Sequence, residues 1–230
     1  MTVRPAIPSQ SSKSRFQVIK LAFPNIPWLP SWDNLLNVVE QCKQQYKITM
    51  VSWNKPKQHI YKLNTDGSAL TESGKIGGGG ILRDHQGKLI YAFSVPFGFG
   101  TNNLAELQAA TYALYWCEQH GYKRIELEVD SEVLCKWINN SLKTPWRCQH
   151  NVQQILQIRS KLHYFHCQHI YREANNTADL LAKWSHMMDI PQHFYTSQQL
   201  KGTIRGSYIL EKMDIHNFRR RKIKTIKFPP

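Results

Sequence analysis

Four acidic residues in separate segments of the chain have the residue type and the local setting of metal ligands. Each lies at the end of a strand-like run or within a helix-like run: Asp66, Glu106, Asp130 and Asp179. If the fold brings them to one point, the carboxylates repel one another unless cations lie between them. Hard, oxygen-binding ions such as Mg²⁺ suit that role, and a pair of them can cleave a phosphodiester. The four acids therefore indicate a metal-dependent nuclease.

Charge is distributed unevenly along the 230 residues, which carry a formal net charge of +14. Residues 61–190 hold 13 basic and 12 acidic residues, whereas the two flanks hold 17 basic and 4 acidic residues. Basic ends of this kind attract a polyanion, although they can also serve only to keep a protein in solution. Together with the acids, the flanks favour nucleic acid as the partner.

Composition also excludes several classes of protein. No run of eighteen apolar residues predicts a membrane span, and the first residues have no apolar segment typical of a secretion signal. The five cysteines are odd in number and never spaced as CxxC, which disfavours a disulfide framework or a zinc site. We therefore expect free thiols in a reducing compartment and no contact with a membrane.

The order of strand-like and helix-like runs predicts an α/β fold. The strands are expected near 60–66, 76–83, 88–95, 124–129 and 165–171, and the helices near 104–120, 131–140, 151–162 and 176–187. An antiparallel meander followed by helix-separated parallel strands predicts a five-stranded mixed sheet flanked by helices. The domains follow as a basic, partly disordered extension (1–52), a catalytic domain (53–189) and a basic tail (190–230).

Each acid also has a plainer interpretation. Asp66 precedes a glycine and can belong to a turn, and Glu106 can lie on the solvated face of a helix. Asp130 can cap the next helix, although Ser131 can take that role, and Asp179 can serve only as a partner of a helix dipole. Asn102 or Asn103 can cap the first helix, which is expected to end at Gly121.

Four sequence blocks, taken in order and spacing, resemble a known family. They are Asn64–Ser68, Thr101–Leu107, Val129–Ser131 and Arg172–Lys183. Residues 53–189 are similar to the ribonuclease H domain, in the form found in plant retroelement polyproteins of the non-LTR reverse transcriptase-like type. The resemblance implies a ribonuclease H-like fold.

The resemblance also implies an activity and a set of site residues. The four acids would hold two Mg²⁺ or Mn²⁺ ions and hydrolyse the RNA strand of an RNA–DNA hybrid endonucleolytically. Contacts to the nucleic acid would come from residues beside the acids: Gly67, Ser68, Thr101, Asn102 and Asn103. The protein would be a monomer, either a fragment of a reverse transcriptase or a partner to one.

A basic run near the end of the chain has two interpretations. It consists of Arg219, Arg220, Arg221 and Lys222. The run can bind the phosphates of the duplex, or it can direct the protein to the nucleus, with the cytoplasm as a second location.

Two other functions stay open from the sequence. One is a catalytically silent binding protein left over from a retroelement, and the other is a nuclease of the same fold that acts on DNA. The connection at 171–176 has no histidine where bacterial relatives carry one in a mobile loop, which favours the silent protein. The intact acids favour the enzyme, and the adjacent asparagines favour a hybrid over DNA.

Overall fold

The structure, a computed structural model, describes Asn34 and residues 46–222. Most of the predicted extension and residues 223–230 lie outside the described residues. The described residues divide into two compact units, of which the larger is Met50–Phe218 and the smaller includes Tyr46–Thr49 and Arg219–Lys222. In the smaller unit, Arg220 lies over the ring of Tyr46 at 3.4 Å.

Eight strands are described, in two sheets. They are β1 (Tyr46–Val51), β2 (Tyr61–Ala69), β3 (Lys75–Arg83), β4 (Leu89–Phe99), β5 (Arg124–Val129), β6 (Tyr164–His169), β7 (Gln192–Phe194) and β8 (Asn217–Lys222). The main sheet has the order β6-β5-β2-β3-β4-β7, and β1 pairs with β8 in a two-stranded sheet. In the main sheet, β2 pairs antiparallel with β3 and parallel with β5.

Within residues 46–222 five α-helices accompany the sheet: α1 (Asn102–Gln119), α2 (Glu132–Ile138), α3 (Trp146–Ser160), α4 (Asn176–Trp184) and α5 (Gly202–Lys212). The predicted mixed α/β sheet flanked by helices is confirmed, with β7 as a short sixth strand beside the five expected ones. The helix expected from residue 151 begins five residues earlier, directly after Pro145. Proline disfavours helical backbone in the residue that precedes it, but it does not prevent a helix from starting directly after it. None of the described helices combines the length and hydropathy needed to cross a membrane.

Alternate residues of the central strands face two separate hydrophobic cores. Leu82 and Phe93 lie in a core shared with α1, α2 and α3, whereas Ile81 and Ala92 lie in a second core with α4 and α5. This alternation is the period of two expected of a sheet covered on both faces. The sheet is therefore the middle of three layers, and α1 and α4 approach it from opposite sides.

The four consecutive glycines of β3 let both helix layers come close to the sheet. A Cβ at Gly79 would lie 2.3 Å from the backbone nitrogen of Ala182 on α4. On the other face, a Cβ at Gly78 would lie 2.7 Å from the Cβ of Ala109 on α1. Glycine in a strand often marks a place where another backbone comes close. Here the neighbouring elements are the protein's own helices α1 and α4.

The segment after residue 189 is part of the larger unit. Leu200, Ile204 and Tyr208 are buried in the second core, and Tyr208 donates from its hydroxyl to the carbonyl of Gly87 at 3.1 Å. The predicted boundary at 189 therefore lies within a compact unit that continues to Phe218. The sequence suggested a tail because the many polar residues of this segment make the helical spacing of its few apolar residues hard to recognise.

One of the two predicted helix N-caps is found in the structure, and the other is replaced by a different residue. Ser131 caps α2 by accepting from the backbone N–H of Leu134, as expected, so Asp130 is not needed for that role. The cap of α1 is Thr101, which accepts from the N–H of Leu104, and the expectation of an asparagine cap is wrong. Thr101 is the residue directly before the helix and has an extended backbone, so its hydroxyl can accept a hydrogen bond from the first turn.

We expect Gly79→Ala to destabilise the protein by about 1–3 kcal/mol, because the added methyl would press against the backbone of α4, which cannot shift independently of its helix. The control is Gly206→Ala on α5, where a Cβ meets nothing within 4 Å. That change should leave stability unchanged or raise it by up to about 1 kcal/mol. Chemical denaturation of both variants compares them, and equal effects would contradict the close packing.

Candidate active site

Asp66 lies on the central strand β2 and is 2% exposed. The next residue, Gly67, has no side chain to hold α1 away: a Cβ there would lie 2.1 Å from the backbone nitrogen of Glu106. The helix can therefore rest its backbone on the strand one residue beyond Asp66. This contact places Glu106, which is 7% exposed, beside the aspartate. The Asp-Gly pair belongs to a strand, so the turn interpretation does not apply.

The other two acids reach Asp66 along neighbouring elements. Strand β5 is parallel to β2, with Val129 opposite Thr65, so Asp130 leaves its strand at the same edge. On β3, Gly79 is paired with Asp66 and receives the backbone of α4. That approach brings the first turn of α4, which carries Asp179, to the same edge.

Electrostatics show that the four acids form one cluster. The pKa of Asp66 is raised from 3.8 to about 9, first by burial and then by the charges of Asp130, Asp179 and Glu106. The pKa of Glu106 is raised from 4.5 to about 7, chiefly by burial, and the charge of Asp130 adds to the effect. Each predicted site acid is thus close enough to affect the central one.

Two basic side chains neutralise part of the cluster. Arg172 donates from Nε to Oδ2 of Asp130 at 2.9 Å and lies 3.9 Å from Oδ1 of Asp179. Lys183, one helical turn after Asp179, forms an ion pair with Oδ2 of that residue. Both cations are more than half exposed, so their positions can adapt. Arg172 is the first and Lys183 the last residue of the sequence block 172–183. Of the two ion pairs, only that of Asp179 and Lys183 could have been expected from the sequence, because the residues are four positions apart on a helix.

The donor set suits a hard divalent cation in its chemistry. All four acids offer oxygen, and two buried oxygens have no hydrogen-bond partner among the described residues: Oδ1 of Asp66 and Oε2 of Glu106. Such atoms are costly unless a charge or a donor reaches them. Within 46–222, however, no three Asp, Glu, His or Cys side chains stand in the compact arrangement that closes around an ion. Asp130 and Asp179 are directed to Arg172 and Lys183 instead.

The residues expected to contact nucleic acid fall into two groups. Ser68, Thr101 and the two asparagines border the acids, and Asn102 donates to Oε1 of Glu106 at 2.6 Å. Arg219–Lys222 belong to the smaller unit, on strand β8. The sequence did not indicate His186, whose Nε2 lies 3.0 Å from Oγ of Ser68. His186 lies just after α4, and its neighbour Ser185 packs so closely on Gly77 that a Cβ there would overlap it. The position of His186 beside Ser68 thus depends on tertiary packing, which the sequence does not indicate.

Comparison with known proteins agrees with this geometry. The profile of the reverse transcriptase-like family matches residues 64–185, which contain all four acids. This chain belongs to the reverse transcriptase-like family. A curated Arabidopsis thaliana protein, provisionally named a ribonuclease H protein, is 31% identical over 159 residues, which are 69% of this chain and 26% of that protein. The chain thus spans about a quarter of that relative.

Solved structures share the fold of this reverse transcriptase-like domain. A ribonuclease H1 isolated from compost by a metagenomic approach is 27% identical with a TM-score of 0.52, covering 56% of this chain and 96% of its own. Ribonuclease H1 from the archaeon Halobacterium salinarum is 23% identical with a TM-score of 0.54, covering 56% and 98%. The ribonuclease H-like resemblance and fold are therefore confirmed.

Removing the charge of Asp66 should stabilise this reverse transcriptase-like domain when a chelator removes divalent ions. The folded pKa of about 9 lies above the ordinary 3.8, so ionisation costs stability as the pH rises between these values. The gain from Asp66→Asn should therefore grow from pH 4 to pH 9 by up to about 1.4 kcal/mol per pH unit. Denaturation at several pH values measures it. A gain that does not change with pH would contradict the burial of a repelled carboxylate.

Proposed function

We propose that this domain hydrolyses the RNA strand of an RNA–DNA hybrid endonucleolytically, with two divalent ions. The observation that carries the proposal is the buried cluster of four carboxylates around Asp66, with two oxygens that have no hydrogen-bond donor in the described part of the chain. Membership of the reverse transcriptase-like family supports it, as do relatives named for ribonuclease H. The origin in a retroelement is part of the same proposal.

The four acids are the residues that would hold the ions, Mg²⁺ or Mn²⁺. Bound ions would supply an activated water and stabilise the leaving oxygen. Asp66 is central because it is affected by all three of the other acids. Arg172 and Lys183 hold Asp130 and Asp179 at the mouth of the cluster, and both remain exposed enough to turn toward a phosphate.

Substrate contacts would come from the start of α1 and from the strand that carries Asp66. Thr101 already satisfies the N–H of Leu104, whereas Asn103 is exposed at the first turn beside the cluster. Exposed amides of this kind can hydrogen-bond base edges and 2′-hydroxyls in the wide minor groove of an RNA-containing duplex. Gly67 and Ser68 would approach the same groove from β2. This arrangement favours a hybrid over duplex DNA.

Three further points belong to the proposal. The domain would act as a monomer, as part of a reverse transcriptase or beside one. The basic strand Arg219–Lys222 would add sequence-independent affinity for phosphates, and the same basic run would direct the protein to the nucleus. The alternative of a silent binding protein is kept because Asp130 and Asp179 are paired with Arg172 and Lys183.

We expect the purified protein to cut labelled RNA–DNA hybrid with Mg²⁺ and to leave double-stranded RNA and DNA intact. Asp66→Asn and Glu106→Gln should each reduce the rate by at least about 100-fold, because each removes a charged donor from the cluster. Gel analysis of the products measures both claims.

The matched control is Glu132→Gln, an exposed acid on α2 near Asp130 that pairs only with Lys136 among the described residues. Its rate should equal that of the unchanged protein. Tight binding of the hybrid without any cleavage would replace the enzyme with the silent binder. Cleavage of duplex DNA at a similar rate would instead favour the DNA nuclease.

Replacing Arg221 and Lys222 by Gln should weaken hybrid binding and reduce its salt dependence by a slope of about 1–2. Substitution is preferable to truncation because β8 forms a sheet with β1. Cleavage at saturating hybrid should not change, since the acids lie in the other unit. Affinities at several salt concentrations test this. The control is Lys88→Gln in the β3–β4 turn, and an unchanged slope would leave only a role in localisation.

A further inference from the structure

One buried carboxylate on the last helix contacts the element that carries Asp179. Glu211 lies on α5, outside the segment that matches the family, and its side chain is 3% exposed. Its Oε1 accepts the backbone N–H of Thr177 at 2.9 Å, and its Oε2 accepts from Arg83 at 2.6 Å. The side chain thus joins a buried cation to the first turn of α4.

The first turn of α4 depends on this contact for its cap. Asn175, in the cap position, makes no side-chain capping bond. Its amide instead donates to the carbonyl of Thr65 at 3.0 Å and accepts from Asn64 at 3.1 Å. Glu211 therefore satisfies a backbone donor that the local sequence leaves open, and its charge suits the positive end of the helix. Thr177 lies two residues before Asp179.

Arg83, the second partner of Glu211, connects it to the strand that carries Asp66. Arg83 is fully buried and donates from Nη2 to Oδ1 of Asn64 at 2.6 Å. Its guanidinium also lies over the ring of Trp53 at 3.6 Å. Asn64 precedes Asp66 by two residues on the same face of β2. A continuous buried path thus runs from the Asp179 helix through Glu211 and Arg83 to the Asp66 strand.

We propose that Glu211 is a positioning residue for the candidate active site. By capping α4 and pairing with Arg83, it fixes the position of Asp179 relative to Asp66 and so sets the affinity of the acids for divalent ions. The catalytic consequence rests on the proposed function, whereas the capping contact can be measured without it.

The decisive variant is the double substitution Arg83→Met with Glu211→Leu. Replacing a buried ion pair by apolar residues of similar volume is often neutral for stability, so the melting temperature should fall by only about 2–4 °C, the cost of one hydrogen bond. The N–H of Thr177 loses its acceptor in this variant. Its hydrogen exchange should therefore accelerate by about fivefold or more, as expected for the loss of one hydrogen bond.

The same variant should need more Mg²⁺. We expect the concentration for half-maximal hybrid cleavage to rise by about 10-fold, in the range for groups that orient metal ligands, with KM for the hybrid unchanged. Glu211→Asp gives a second test if the double variant does not fold, because it keeps the charge but shortens the reach to Thr177. It should show the same two changes.

The control is Asp214→Asn, which breaks the exposed ion pair with Lys55 just after α5 and should change neither measurement. A folded double variant with unchanged exchange and unchanged Mg²⁺ dependence would overturn the proposal and leave Glu211 as packing only. If the unchanged protein cuts no hybrid, the proposed function fails. The exchange of Thr177 then decides the positioning role alone, and unchanged exchange overturns it.

Discussion

Mutual repulsion among carboxylates is the constraint on which the arrangement of this domain depends. Asp66 is almost fully buried on the central strand, and the charges of three other acids act on it in addition to the cost of burial. Both effects oppose folding when the acid is ionised, so the surrounding structure must offset several kcal/mol. The offset comes from two hydrophobic cores, one on each face of the sheet.

The backbone is shaped to make this cluster possible. Gly67 lets α1 rest on β2, and Gly79 lets α4 rest on β3, each beside the position of Asp66. Parallel pairing of β5 with β2 brings Asp130 to the same edge. Glycine in a strand normally weakens it, so two glycines at these contacts indicate that close approach of the helices outweighs that loss.

A second layer of polar residues holds the strands behind the acids. Asn64, two residues before Asp66, donates to Glu128, two residues before Asp130, at 2.9 Å. Lys62, itself buried, pairs with Glu128 at 2.8 Å. Each of these buried groups has a partner of opposite charge or a hydrogen bond, which is the condition for tolerating them in an interior. Asn64, Glu128 and Lys62 thus hold the strands behind the acids through paired polar groups, although the carboxylates themselves repel one another.

Sequence alone was sufficient for the sheet, and it singled out four acids whose charges act on one another in the structure. Periodicity found the five long strands, and the alternation of apolar residues decides which face of each strand is buried. Apart from Lys183, which lies one helical turn after Asp179, the neighbours of the site were not predictable, because Arg172 meets Asp130 across 42 positions and His186 meets Ser68 across 118. Thr101 was missed as a cap because the two asparagines that follow it have a higher N-cap preference than threonine.

The end of the domain shows why a family boundary and a folding boundary differ. Glu211 appears in the sequence as a surface acid within a basic, polar region, so nothing local indicates that it is buried. Its partner Arg83 is fully buried within the matched segment and has its charge balanced from α5. A fragment that ends at residue 189 would leave that guanidinium in the interior without its carboxylate, which is among the costliest defects a core can have. The helix beyond the family segment is therefore part of what keeps β2 and α4 in register, and the four acids depend on it.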